Sequence, residues 1–265
     1  RRFGEHIELD REQPFSDTHV LQLQHCSCRQ FSKTPVPEET LKLLFACSLS
    51  APSKSDLQQV SIIHLHSRDS RNFIHSVLPS MPWIKTAPVF LLFCGDSHRI
   101  QTVCEMHNTT FAHDPLDAFF NTVTDTAMVL QNFIIAAEAA GLGCCPISAV
   151  REFTDQVAEF CQMPDGVYPL AGLCLGYPAG AQDISVRLPM SASLHKDTYN
   201  EKNLRANIKD YDKRREKISP YESQRQIDLY GLSDSYGWSC DKARQTSHTE
   251  RLSFKNYVRK HGFGI

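Results

Sequence analysis

The stretch TAMVLQNFIIAA, residues 126–137, decides the fold. It lies between Asp125 and Glu138. A membrane-spanning helix needs roughly 20 apolar residues, so this run predicts a core helix instead. Read outward, the helix extends over 116–140. From Val123 to Ala140 it is apolar nearly all round and rich in alanine, the pattern of a helix packed closely by its neighbours. GLG (141–143) stops it, and CCPISAV (144–150) follows as a short strand or loop. Cys144 and Cys145 are adjacent, so in extended chain their side chains diverge.

Other segments fall into place around this helix. VPEETLKLLFACSLSAPS (36–53) reads as a helix with Pro37 in its first turn, Glu38 and Glu39 complementing the dipole, and Pro52 ending it. Leu41, Leu44, Phe45 and Ser48 share one of its faces. VSIIHLH (60–66) has strand composition. PVFLLFC (88–94) is a continuous apolar run, as a strand buried on both faces would be. REFTDQVAEFCQM (151–163) predicts an amphipathic helix, and YPLAGLCLGYPAG (168–180) a buried strand broken by glycines. Beyond Gly180 the chain is charged, with helical patterns at 202–218 and 240–260 separated by a polar loop. Residues 1–24 are polar and wrap the surface or begin a short helix. The simplest partition is a single α+β domain over 1–265 with a polar C-terminal excursion over 180–265.

Composition excludes several classes. Hydrophobic content of 41% and charged content of 22% are those of an ordinary globular protein. The formal net charge of -2 provides no basic footprint for nucleic acid. No segment predicts a membrane span. Ten cysteines without a regular framework, and no apolar signal segment at the start, fit reduced thiols in the cytoplasm.

HCSCRQF (25–31) concentrates chemistry. Its C-x-C spacing, with no second knuckle, argues against zinc, and no C-x-x-C redox pair is present. Ser27 and Arg29 could donate to an anion, the guanidinium as a fork.

Several blocks together resemble one family: HCSCRQF, SAPSKSDLQQVSII (50–63), DTAMVLQNFIIAAEAAGLGCCPISAVR (125–151), GLCLGYPAG (172–180), RLPMSASLHKDTY (187–199) and YVRKHGF (257–263), with RRFGE at the start. In this order they are similar to the nitroreductase/flavin reductase family, in its NADPH-dependent, oxygen-insensitive branch. The resemblance implies a nitroreductase-like α+β fold: a central, mainly antiparallel sheet flanked by helices, in an intertwined homodimer with a C-terminal helical excursion. It implies FMN at the dimer interface, with helix 116–140 in the dimer core.

On the same ground, His25, Cys26, Ser27 and Arg29 with Arg187 would hold the FMN phosphate and part of the ring. Ser53, Lys54 and Ser55 would flank the flavin edge, Ser55 also lining the substrate pocket. Pro146, Ile147, Ser148 and Ala149 would run beside the ring, with backbone N–H groups of Ser148 or Ala149 stabilising charge that builds there. Met81 would stand near the pyrimidine edge. Arg225 would meet the 2′-phosphate of NADPH, and Arg251 would line the substrate pocket. The chain departs from the family pattern at Cys26, where Arg is usual, at Ser185, where Lys is usual, at Met81, where Gln is frequent, and at Lys54, where Ser is usual.

The resemblance implies an FMN-dependent NAD(P)H oxidoreductase, NADPH or NADH being the hydride donor, that reduces nitroaromatics, quinones or flavins by two electrons in a ping-pong cycle at flavin N5. It requires no classical catalytic side chain and no metal. The alternatives are another flavin chemistry on this fold, as in a dehalogenase or dehydrogenase, and a flavin-binding module with little turnover.

Overall fold

The computed structural model describes residues 2–5 and 14–264; Arg1 of the expected opening block lies outside the described residues. The chain divides into two compact units, one of Asp17–Gln182 with Arg251–Ile265, the other of Arg1–Ser16 with Asp183–Glu250.

In the larger unit, four strands make one sheet: β1 (Val60–His64), β2 (Val89–Asp96), β3 (Gly143–Ile147) and β4 (Val167–Gly176), in the order β1-β2-β4-β3. Every pairing is antiparallel, as the fold expectation has it. Its helices are α1 (Asp17–Gln24), α2 (Glu38–Leu49), α3 (Arg68–Val77), α4 (Trp83–Thr86), α5 (His98–Met106), α6 (Pro115–Ala139), α7 (Thr154–Phe160) and, after the smaller unit, α11 (Leu252–Val258).

β2 explains the layering. Its eight residues are all buried, and the two-residue period of a strand sends them to opposite faces. Phe90, Leu92 and Cys94 join Ile74 of α3 and Val157 of α7. Val89, Leu91 and Phe93 join Leu41 and Leu44 of α2 and Val129, Phe133, Ile134 and Ala137 of α6. Burying each such large side chain contributes about 1.5–3 kcal/mol, so the sheet is held from both sides. Cys144 faces the α6 layer and Cys145 the α3 layer, diverging as expected. β4 runs unbroken through its glycines: a Cβ on Gly172 would stand 2.6 Å from the Phe90 ring, so glycine is there to admit that ring. The irregularity expected of β4 does fall on this strand, but at Leu170 rather than at a glycine: Phe93 and Cys94 of β2 pair with Ala171 and Pro169, leaving Leu170 as the extra residue.

Helix α6 begins where Asp114 Oδ1 accepts from the N–H groups of Leu116 and Asp117, with Pro115 in the first turn. Gly141, at φ +76, turns the chain out of it. The helix is less uniformly apolar than expected. Asn121, Thr122, Asp125 and Thr126 are buried inside the unit, and the hydroxyls of Thr122 and Tyr168 stand 2.6 Å apart. Polar side chains are accommodated because each finds a partner within the unit.

Three helix boundaries differ from expectation. α2 ends at Leu49, and Pro37 is its N-cap; Ser50 Oγ bonds back to the Ala46 carbonyl before Pro52 is reached. Residues 151–153 belong to a 3-10 turn over Ser148–Phe153, so α7 begins at Thr154. The expected helix 240–260 is two helices. Thr246 and Ser247 hydroxyls bond back to the carbonyls of Lys242 and Arg244, competing with helix propagation, and Arg251 takes φ +60.

The smaller unit carries α8 (Leu204–Ile218), α9 (Ile227–Tyr230) and α10 (Trp238–Gln245). Tyr211 of α8 meets Trp238 of α10 edge-on, and Asp212 accepts from Ser239 N at 2.9 Å. Among the described residues no helix is long and apolar enough to cross a membrane.

Candidate functional site

Residues 25–31 lie along the outer edge of β3. Ser27 forms a parallel bridge with Cys144, and Cys28 N donates to Cys144 O at 2.8 Å. Cys144 therefore turns its backbone groups away from β4, and by the two-residue period so does Pro146. That is why a proline is tolerated in this strand: its missing N–H is on the edge, where β4 does not need it. Within β3 only Pro146 is exposed. Ser148, two residues on, is exposed as well, while Ile147 and Ala149 are buried. One ribbon of β3 thus faces outward beside the HCSCRQF block.

Arg29 is exposed. Its guanidinium lies over the Trp83 ring, 5.6 Å from the centroid, and makes no hydrogen bond or ion pair among the described residues. Burial pushes the Cys145 thiol up, and Arg29 pulls it partly back. Burial likewise raises Cys28, whose Sγ donates to the Gln30 carbonyl at 3.2 Å. Cys26 is half-buried. His25 Nδ1 stands 2.6 Å from Oε1 of Glu138, in the last turn of α6. Met81 packs at the margin of the α3-side core, as does Trp83.

The turn after α2 is anchored elsewhere. Ser53 Oγ and Lys54 N donate to the carboxylate of Asp125, near the middle of α6, at 2.8 and 2.9 Å. At 1.5 Å of rise per residue, Asp125 and Glu138 are about 20 Å apart along the helix. One chain therefore holds the 25–29 block and the 53–55 block at two levels of α6 and does not bring them together. Arg251, at the start of α11, places Nη2 3.5 Å from Ser148 Oγ and Nε 3.9 Å from a Glu152 carboxylate oxygen, so the structure joins it to the 146–149 ribbon.

Arg187 and Arg225 belong to the smaller unit. Arg187 N donates to Arg2 O at 2.7 Å, and its carbonyl accepts from Arg214. Arg225 Nε donates to Asp241 Oδ1 at 3.0 Å. Asp241 is buried. Burial alone would raise its carboxyl, but hydrogen bonds from Lys242 and Tyr236 and the nearby Arg225 charge outweigh it, so its pKa is lowered.

Sequence reasoning missed three residues that organise this region: Trp83, Asp125 and Glu138. The two carboxylates had a signal. They are the charges that bound the apolar run 126–137, and a charge at the margin of a core helix needs a partner.

The donor set fits a phosphate-bearing flavin. An exposed guanidinium, a hydroxyl and an imidazole stand within five residues, next to an outward ribbon that a planar ring could cover.

The nitroreductase family model matches residues 23–177, and that of the nitroreductase family C-terminal domain matches residues 185–265. An FMN reductase (NAD(P)H) of Bacillus subtilis strain 168 is 33% identical over 247 residues, covering 91% of this chain and 95% of that protein. An oxygen-insensitive NADPH nitroreductase of Salmonella typhimurium is 34% identical over 184 residues, 69% of this chain and 75% of that protein. The solved structure of an NADPH:FMN oxidoreductase from Vibrio harveyi, complexed with NAD+, superposes with a TM-score of 0.82 at 26% identity, over 93% of this chain and 98% of that one. With a family model matched across residues 23–177 and a relative 33% identical along 91% of its length, the chain belongs to the nitroreductase family.

Proposed function

We propose that this protein is an FMN-dependent NAD(P)H oxidoreductase that reduces small-molecule acceptors, namely nitroaromatics, quinones or flavins, by two electrons in a ping-pong cycle. The observation that carries the reading is the exposed Arg29 guanidinium, lying over the Trp83 ring in the block that runs along the edge of β3, in a chain whose relatives are FMN reductases and NADPH nitroreductases. No observation favours a dehalogenase or dehydrogenase, or a module without turnover.

When bound, FMN supplies the hydride chemistry, accepting from NADPH or NADH and passing two electrons to the acceptor. The chain's own residues bind and orient. Arg29, Ser27 and His25 would hold the phosphate, with Cys26 as a neutral contact. Arg187 is assigned to the same phosphate by resemblance alone. Pro146, Ile147, Ser148 and Ala149 would lie beside the ring, the Ser148 or Ala149 N–H facing its electron-rich edge as a fixed donor. Met81 would close the pyrimidine side. Lys54 and Ser55 would border the acceptor, with Arg251 reaching the pocket from α11. Arg225, braced by Asp241, would take the 2′-phosphate of NADPH.

We further propose that the chain acts as one functional domain in a homodimer and works in the cytoplasm. The dimer is supported by the 20 Å separation of the two site blocks along α6, since a second copy could supply the block that one chain holds away. It is also supported by Leu116 and Phe120 of α6, which are 62% and 64% exposed.

The test is the absorbance spectrum of the purified protein. Bound flavin bands that NADPH bleaches without oxygen, and that a quinone restores, are expected. A protein that takes up no FMN, or whose FMN is not bleached by NADPH or NADH, would overturn the reading.

A further inference from the structure

The turn after α2 adopts a conformation that side chains resist. Ser55, Asp56 and Gln58 have φ of 51, 57 and 50, all in the left-handed region that favours glycine. Such a turn persists only where its surroundings hold it. Here the holder is a buried carboxylate on a different element. Asp125 is 1% exposed. Its Oδ1 accepts from Lys54 N at 2.9 Å, and its Oδ2 accepts from Ser53 Oγ at 2.8 Å and Gln59 N at 3.2 Å, with Gln59 Nε2 at 3.5 Å. Ser53 Oγ in turn accepts from Gln58 N at 2.7 Å. One carboxylate and one hydroxyl therefore take backbone N–H groups from both ends of the turn. Arg99 adds hydrogen bonds to the carbonyls of Gln58 and Val60 from the other side. Lys54 and Ser55 stand exposed at the apex.

We propose that Asp125 is a positioning residue: from α6 it clasps the Ser53–Gln59 turn and so sets where the Lys54 cation and the Ser55 hydroxyl meet the electron acceptor, favouring acceptors that carry an anionic group. The proposal rests on the flavin-enzyme reading above. The chemistry of the clasp is specific to a carboxylate. Every group aimed at Asp125 is a donor, so an amide in its place turns an N–H toward one of them and cannot satisfy both ends of the turn.

The test uses FMN-loaded wild type, Asp125→Asn, Lys54→Ala and the double variant, with a sulfonated naphthoquinone and its unsulfonated parent as acceptors. Lys54→Ala should raise the ratio of KM for the sulfonated quinone to KM for its parent about tenfold, on the order of one lost charge contact. Asp125→Asn should do the same, and the double variant should be no worse than either single, because both remove one function. Equal losses for both quinones, or losses that add in the double variant, would overturn the proposal. A second readout needs no flavin: in flavin-free protein, amide exchange at Lys54, Gln58 and Gln59 should quicken at least about tenfold in Asp125→Asn and stay unchanged elsewhere in the sheet. If Asp125→Asn does not fold, Ser53→Ala, which keeps the carboxylate, should shift both readouts in the same direction by less. Unchanged exchange in a variant that still binds FMN sinks the clasp. Quickened exchange in a protein that never binds FMN keeps the clasp and removes the flavin reading instead.

Discussion

Glu138 Oε1 stands 2.6 Å from His25 Nδ1, across 113 residues of chain. A carboxylate can only accept, so Nδ1 is the donor and the ring is held in one orientation. Glu138→Ala should weaken FMN about tenfold by releasing that ring. Glu138→Gln keeps an acceptor and should recover part of the loss. Fluorescence titration with FMN checks both; wild-type affinity in Glu138→Ala would mean that His25 needs no orientation.

The phosphate assignment separates two ligands. Removing one partner of a charge-assisted hydrogen bond costs about 1.5–3 kcal/mol, roughly ten- to a hundredfold in affinity. Arg29→Ala and Arg187→Ala should each weaken FMN by that factor and riboflavin far less. Equal losses for the two flavins in either variant would remove that arginine from the phosphate.

Dimerisation is best tested at the exposed start of α6. Ile134 is only 4% exposed and belongs to its own subunit's core, so a charge there would unfold the protomer whatever its assembly. Phe120→Glu places the charge on a surface side chain instead. Sedimentation should show wild type as a dimer and Phe120→Glu shifted toward a folded monomer. A wild-type monomer that holds flavin would end the dimer proposal.

The buried hydroxyl pair of Thr122 and Tyr168 predicts a non-additive stability effect. Thr122→Val leaves the tyrosine hydroxyl short of its best partner and should cost about 1–3 kcal/mol. Combining it with Tyr168→Phe removes both polar groups, and the double variant should recover much of that loss. Urea midpoints of the four proteins decide it; fully additive losses would mean that the pair is not coupled.

Stability should fall in alkali. Burial raises the Cys161 thiol from 9.0 to about 11 in the folded protein and, first among its causes, raises Tyr257 from 10.0 to about 12. Between pH 9 and 11 the folded thiol keeps a proton that the unfolded chain has lost, so stability is full below 9 and declines as pH rises through 11. Cys161→Ala should flatten the first part of that decline. A midpoint independent of pH over this window would count against it.

Much of this molecule is legible in one dimension. β2 is read from an unbroken apolar run, and α6 from its apolar length and the GLG that follows, because a two-residue or 3.6-residue period depends only on near neighbours. The HCSCRQF donors are visible for the same reason: they lie within seven positions. Where local chemistry competes with the period, the reading fails. The hydroxyls of Thr246 and Ser247 cut the expected helix 240–260 in two, and Ser50 ends α2 before Pro52.

What only the tertiary structure decided is the meaning of the two carboxylates around the apolar run. In the sequence, Asp125 and Glu138 merely delimit residues 126–137. In the fold, each is drawn to a donor far along the chain, Ser53 for one and His25 for the other. No period or spacing encodes such a pairing. It follows from burial, because a polar group carried into the core with α6 must be satisfied there by whatever segment the packing brings beside it.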